Sequence, residues 1–267
     1  MKQKNILFWA IAIIITLASS YFQRQTGPTK PFSGSVQIAE QEIDFSLIRT
    51  FPRPMDAPAR VVVEDEEITG FFRYKRYPSF DEWDTIPLVR SDEHLIAFIP
   101  QQPAAGKVKY QIFLEKDDER AVLTEEPVII RFRNSVPAWA MVPHIILMFA
   151  AMLFSNRAAL AAIGKQKTYT YVVLTFITFV GGGLVFGPIV QKYAFGDWWT
   201  GWPFGTDLTD NKTAFAFIFW IVALIKTRQN KQHRTWVIVA AIILLLIYYI
   251  PHSMFGSEID WTQEQLN

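Results

Sequence analysis

The chain has 267 residues, 51% of them apolar, and a formal net charge of +1. That balance excludes a disordered tail, a collagen-like fibre and a nucleic-acid-coating protein. Cysteine is absent, which excludes disulfides, thiolate metal sites, iron–sulfur clusters, covalent haem attachment through cysteine and cysteine nucleophiles.

The first hydrophobic run, Ile6 to Phe22, follows Lys2 and Lys4 and is long enough to reach across a bilayer. Residues 1–22 therefore read as a signal anchor, or as a signal peptide cut near Ala18-Ser19-Ser20. The imperfect small-residue pattern, followed by aromatic Tyr21 and Phe22, favours the anchor.

Residues 31–134 carry most of the charge and read as an inserted all-β domain. Short runs at 35–38, 43–48, 61–63, 71–74, 95–99, 107–114 and 128–133 are separated by turn residues, and Lys107 to Leu114 alternates with period two. Seven or eight strands in this length predict an immunoglobulin-like sandwich. The turn Gln102-Pro103-Ala104-Ala105-Gly106 predicts a strand on either side. His94 reads as a surface or hydrogen-bonded histidine, and the charge runs 64–67 and 116–120 read as solvated hairpin tips. The short seam Arg133 to Pro137 should hold the sandwich close to the outer membrane surface.

Four further spans are expected at about 138–155, 169–190, 211–226 and 235–251, the third being the weakest. A start nearer Thr209 would give that third span sufficient length, with Lys212 snorkelling. Nine basic residues and no acid fall on the inner side: Lys2, Lys4, Arg157, Lys165, Lys167, Lys226, Arg228, Lys231 and Arg234. The positive-inside rule then places the N-terminus in the cytoplasm, and the sandwich and the tail 256–267 outside. The predicted class is a transmembrane bundle of about five helices, the anchor included, with an inserted sandwich, in a bacterial-type cytoplasmic membrane.

Residues 138–255 form the expected helical domain, with an outer loop at 191–212. That loop places Trp198, Trp199 and Trp202 within five residues. An aromatic belt accounts for Trp139 and Trp236, but a belt needs no glycine and proline between its rings. Glycines permit close backbone approach, which suits a flat hydrophobic ligand lying on the indoles. His144 lies inside the second span and His252 directly after Pro251, one before and one after this loop. An ionisable group within a span is a functional candidate, and neutral imidazole is a natural axial ligand of haem iron. Asp210 and Asp207 read as caps of a helix starting near Lys212; with Glu258, Asp260 and His252 they form an alternative metal set. Gly181-Gly182-Gly183 and Gly187-Pro188 read as close packing and a kink, with room for a porphyrin edge as the other reading.

The order His144, basic loop, Trp198-Trp199-Thr200-Gly201-Trp202 and His252-Ser253 resembles the haem-handling membrane proteins of cytochrome c biogenesis, in which a tryptophan-rich WWD loop is flanked by two histidines. The likeness covers about residues 138–255 and omits the sandwich. It departs at the familiar Asp-Pro, since Trp202 precedes Pro203 and the next acid is Asp207. The resemblance implies haem b held by His144 and His252, with Trp198, Trp199 and Trp202 as its platform. Three classes follow. One holds or transfers haem at the extracytoplasmic face, with a cytochrome as a candidate acceptor. One is a haem b electron-transfer subunit of a quinol-linked respiratory complex. One is a non-enzymatic accessory subunit that meets lipid and binds membrane or periplasmic proteins through its sandwich.

Overall fold

The computed structural model describes residues 2–229, 234–250 and 258–265. The chain divides into two compact units, residues 1–27 with 136–256 and residues 28–135 with 257–267.

The first unit is helical. It contains α1 (Lys2–Thr26), α2 (Ala138–Ile163), α3 (Tyr169–Phe179), a π-helical segment Val180–Phe186, α4 (Gly187–Phe195), α5 (Leu208–Gln229) and α6 (Arg234–Tyr249). Four continuous stretches, Gln3–Thr26, Ala138–Ile163, Tyr169–Phe195 and Leu208–Gln229, are long and apolar enough to cross a membrane. Among the described residues the shortest of the apolar helices is therefore the last, with 16 residues in α6, while the helix expected to be weakest, α5, has 22. This third span gains length because Asp207 starts its helix at Leu208.

Small residues let these helices approach closely. Ala151, Ala158, Ala162, Ala216, Ala223 and Ala240 are buried around Trp220, which has no exposed surface. On α1, Ala12, Thr16 and Ser19 are buried while Ile6, Ile14 and Leu17 are exposed. This small-residue stripe meets α2, where the Asn156 amide donates to Thr16 Oγ1 at 3.1 Å. Trp9 adds edge-on contacts with Phe154 and Tyr171.

The second unit is built from antiparallel sheets around one apolar core. Its strands are β1 (Phe32–Ile38), β2 (Gln41–Leu47), β3 (Thr50–Pro52), β4 (Ala57–Val62), β5 (Thr69–Tyr77), β6 (Asp84–Pro87), β7 (Val89–Ser91), β8 (His94–Ile99), β9 (Lys107–Lys116), β10 (Glu119–Val122) and β11 (Val128–Arg133). They form a β1-β2 ribbon, a β3-β11-β9-β5-β6 sheet with β10 beside β9, and a β4-β8-β7 sheet. Only β3 runs parallel to its neighbour, β11. Burial alternates residue by residue along β2, β4, β8 and β11, as period two requires of strands with one face in a core. Phe72, Tyr110, Ile112, Leu114, Ile130 and Phe132 all have no exposed surface. These features are compatible with an immunoglobulin-like domain.

The Pro103 turn closes with a 2.8 Å bond from Gly106 N–H to the Pro103 carbonyl. A Cβ on Gly106 would lie 2.7 Å from Gln102 Cβ, so only glycine fits. His94 opens β8 opposite Val62 and Ser91 and is half-buried, at the rim of a cleft of about 610 Å³. The charge run 116–120 is the β9–β10 hairpin tip. The run 64–67 is not a hairpin tip, because β4 pairs with β8 while β5 pairs with β6 and β9.

These two charged segments hold one another, with Lys116 Nζ 2.7 Å from Asp65 and 3.0 Å from Glu67. The Lys116 bond, helped by the Glu67 backbone N–H, depresses the Asp65 carboxyl below the usual range, and the bonds to the Asp65 and Glu67 carboxylates raise Lys116. A depressed carboxylate stabilises the fold above its unfolded pKa, and the gain disappears as pH falls through the folded value. The raised lysine contributes below about pH 10 and loses its contribution at still higher pH. The melting difference between wild type and Asp65→Asn should therefore be constant from about pH 5 to 9 and shrink as the pH falls below the ordinary carboxylate range. A difference that persists unchanged at the acid end would show that this contact does not involve the charged carboxylate.

Candidate functional site

His144 lies one residue after Pro143 in α2 and faces the π-helical segment. Pro188 has no N–H to return to the preceding turn, and an α-helical register would place its ring against the Leu184 carbonyl. The π register relieves both demands. Gly187 N–H closes the wider turn on the Gly182 carbonyl. His144 Nδ1 lies 2.9 Å from the same oxygen. A carbonyl only accepts, so Nδ1 carries the proton and the lone pair lies on Nε2. This is the arrangement that orients a metal-binding imidazole, in which one ring N–H is held by backbone and the other nitrogen is left as a ligand.

Gly181, Gly182 and Gly183 of this segment pack closely against neighbouring side chains. A Cβ on Gly182 would lie 3.0 Å from Leu147 Cβ and from the Met148 nitrogen, and one on Gly183 would lie 3.2 Å from the Thr213 methyl. Gly187 alone has space, with His144 Cε1 3.9 Å away.

The tryptophan loop is held by the first turn of α5. Gly196, at φ +99, ends α4, and the chain then folds back over Asp207, Asp210 and Asn211. Asp210 Oδ2 accepts from Thr200 N–H at 2.7 Å, Gly201 N–H at 3.1 Å and the Gln191 amide at 3.1 Å. Asn211 Oδ1 accepts from Trp202 N–H at 2.6 Å. Asp207 Oδ1 accepts from Thr209 N–H at 2.7 Å and Asp210 N–H at 3.3 Å, which caps α5. The cap is thus Asp207, and Asp210 is a loop anchor rather than a cap, because the helix begins at Leu208 and not near Lys212.

The glycines of the loop have a similar explanation. A Cβ on Gly201 would lie 2.6 Å from Asp210 Cβ, and one on Gly205 would lie 2.4 Å from the Thr200 carbonyl. The close approach inferred from these residues is made to the chain itself at Gly201 and Gly205. Trp199 is half-buried and donates its indole N–H to the Trp202 carbonyl at 3.1 Å. Trp198, Trp202 and Phe204 are 56%, 77% and 82% exposed, leaving broad ring faces on a rigid support.

Lys212 does not snorkel. It is buried and donates to the Ile250 carbonyl at 2.7 Å, where a cation suits the carbonyl end of α6. This ties the end of α6 to the turn that carries the loop. His252, two residues further on, lies outside the described residues, as do His233 and Lys231. The recorded contacts bring Trp199, Trp202 and the α5 carboxylates together but do not join His144 to them. Of the alternative set, Asp207 and Asp210 belong to the helical unit, Glu258 and Asp260 to the other unit, and His252 lies outside the described residues; no cluster of three metal-binding side chains occurs among the described residues. Gln191 and Asn211 were not expected at this site; their only sequence signal is a polar position at each helix end flanking a tryptophan loop. Comparisons with protein-family models, curated proteins and solved structures give no match to this chain.

Proposed function

We propose that this chain is an integral membrane protein that holds haem b at the extracytoplasmic ends of its helices, with His144 Nε2 as an axial ligand, and receives or passes haem in cytochrome assembly. The observation that carries the reading is the His144 Nδ1–H bond to the Gly182 carbonyl. Bound haem would supply a redox-active iron. His144 orients the ligating nitrogen, Asp210 and Asn211 hold the loop, and Trp198 and Trp202 offer apolar ring faces. Lys212 positions the chain at Ile250, and His252 would supply the second nitrogen. The same ligands would serve an electron-transfer subunit, so redox role and haem transfer are separated by experiment below.

Topology has independent support. The C-terminal residues 258–265 share a compact unit with the sandwich, so an even number of crossings must separate them. The chain provides four passes between them: α2, the α3-to-α4 stretch, α5 and α6. Sixteen residues in α6 span about 24 Å, short of a 30 Å core, and the even count supports its crossing. Reporters at residues 100 and 264 should therefore fall on one side and one at 166 on the other, and the positive-inside rule makes the shared side the outside. An outside result at 166 would remove the shared face on which the haem reading depends.

The exposure of Trp202 and Phe204 favours a second reading, an accessory subunit that uses these rings to contact a larger membrane complex. Detergent-purified protein supplied with haem separates the readings. Full occupancy with quinol-reducible iron favours an electron-transfer subunit, and substoichiometric haem that moves to an apocytochrome favours the handling protein. No haem uptake leaves the accessory subunit.

A further inference from the structure

The sandwich holds a peptide that comes from the far end of the chain. Glu258 forms an ion pair with Lys107, whose side chain is only 8% exposed. Three residues later Trp261 begins a short helix, α7 (Trp261–Gln265), capped by a 3.0 Å bond from Thr262 N–H to Asp260. Trp261 N–H donates to the Pro78 carbonyl at 3.1 Å, and the Arg76 guanidinium lies 4.6 Å from the indole centroid. Asp81 fixes that guanidinium by two bonds of 2.7 and 2.9 Å. Val108 lies opposite Arg76 and Lys107 opposite Tyr77. Alternation therefore sends Lys107 and Arg76 to opposite faces, and the tail straddles the end of the β5–β9 pair.

Three features mark this as a binding seat rather than an ordinary terminal contact. First, the carboxylate that pairs with buried Lys107 comes from the tail, and removing it would leave a cation with poor hydration. Second, the buried Trp261 Nε1–H has no acceptor among the described residues, a mark of an imperfect fit of the resident peptide. A tethered segment tolerates such a defect because its effective concentration is on the order of millimolar. Third, the cationic character continues beyond the tail. Lys109 lies directly opposite Lys75 on β5, a like-charge pairing that disfavours the sheet on its own. Neither lysine has a carboxylate partner among the described residues; Lys109 lies over the Tyr77 ring and Lys75 near the Trp83 ring.

We propose that the Arg76–Pro78–Lys107 seat is a peptide-binding site, filled in cis by the chain's own tail and open in trans to a partner segment carrying an acidic residue three positions before an aromatic one. The tail is then an intramolecular competitor, and partner binding requires its release. This inference is independent of the haem reading.

The test uses a labelled synthetic peptide of residues 257–267 and the detergent-solubilised chain ending at residue 256. The peptide should bind the shortened chain at least tenfold more tightly than the intact chain. Lys107→Glu in the shortened chain should weaken it by tenfold or more, and a peptide carrying Glu258→Lys should recover binding to that variant. Should truncation unfold the protein, the intact-length double variant Glu258→Lys, Trp261→Ala provides the open seat instead. No binding to a folded open-seat variant would overturn the proposal. Equal binding of a scrambled peptide, or full displacement of the peptide by phosphatidylglycerol vesicles, would also overturn it by showing a general anionic surface.

Discussion

Asp210→Ala should release the tryptophan loop. One carboxylate oxygen accepts the backbone N–H groups of Thr200 and Gly201 and the Gln191 amide, and both Asp210 and Gly201 are buried. A hydrogen bond to a charged group contributes about 1.5–3 kcal/mol, and a buried donor left unpaired costs about 1–3 kcal/mol. Allowing for partial relaxation into water, a loss on the order of 3 kcal/mol in loop closure is expected, or about a hundredfold in the open population. Chymotrypsin has sites at Trp198, Trp199 and Phe204, and cleavage that follows the open population should accelerate by a similar factor. Asp210→Asn keeps one acceptor oxygen and should give an intermediate rate. Unchanged cleavage in Asp210→Ala would show that the loop is held by something other than this carboxylate.

Phe72→Ala should strongly destabilise the β-sheet unit. Phe72 has no exposed surface, and its ring lies 5.2 Å from Tyr74 and 5.8 Å from Tyr110. Removing a buried phenylalanine costs about 3–5 kcal/mol, because apolar contact is lost and a cavity remains. Its neighbour Phe71 points to the other face, half-buried and stacked on Phe113 at 4.6 Å; its removal should cost about 1 kcal/mol. Amide exchange of β9 in the intact chain reads both effects if the sandwich opens as a unit. Protection should fall by about two to four decades for Phe72→Ala and by less than one decade for Phe71→Ala. Similar losses at both positions would contradict the alternation of β5.

The strands announced by local chemistry were legible before any coordinates. All seven expected strand segments fall within β1, β2, β4, β5, β8, β9 and β11, though Val63 and Ile48 lie just beyond their strand ends. The strands not foreseen, β3, β6, β7 and β10, have at most four residues. Two of them end in proline, and β3 pairs in parallel with a strand about eighty residues away, which no local pattern encodes. Helix positions followed from hydropathy, but their ends were set by polar detail. Placing the α5 start at Leu208 rather than near Lys212 left Asp207 as the cap and made Asp210 a loop anchor. Composition correctly marked Gly201 as a point of close approach, yet a glycine does not specify what approaches it. The docking of Trp261 lacked any sequence signal, since its partners at Arg76, Pro78 and Lys107 belong to a distant part of the chain.

Optical spectra of detergent-purified wild type and His144→Ala, each supplied with haem, test the central claim most directly. Two nitrogen ligands keep iron low-spin, so wild type should show a sharp Soret band with resolved α and β bands after reduction. His144→Ala should lose those α and β bands, while His94→Ala, altered at the edge of a sandwich strand, should retain the wild-type spectrum. Identical low-spin spectra for wild type and His144→Ala would contradict the account, because the imidazole held by the Gly182 carbonyl would not be a ligand.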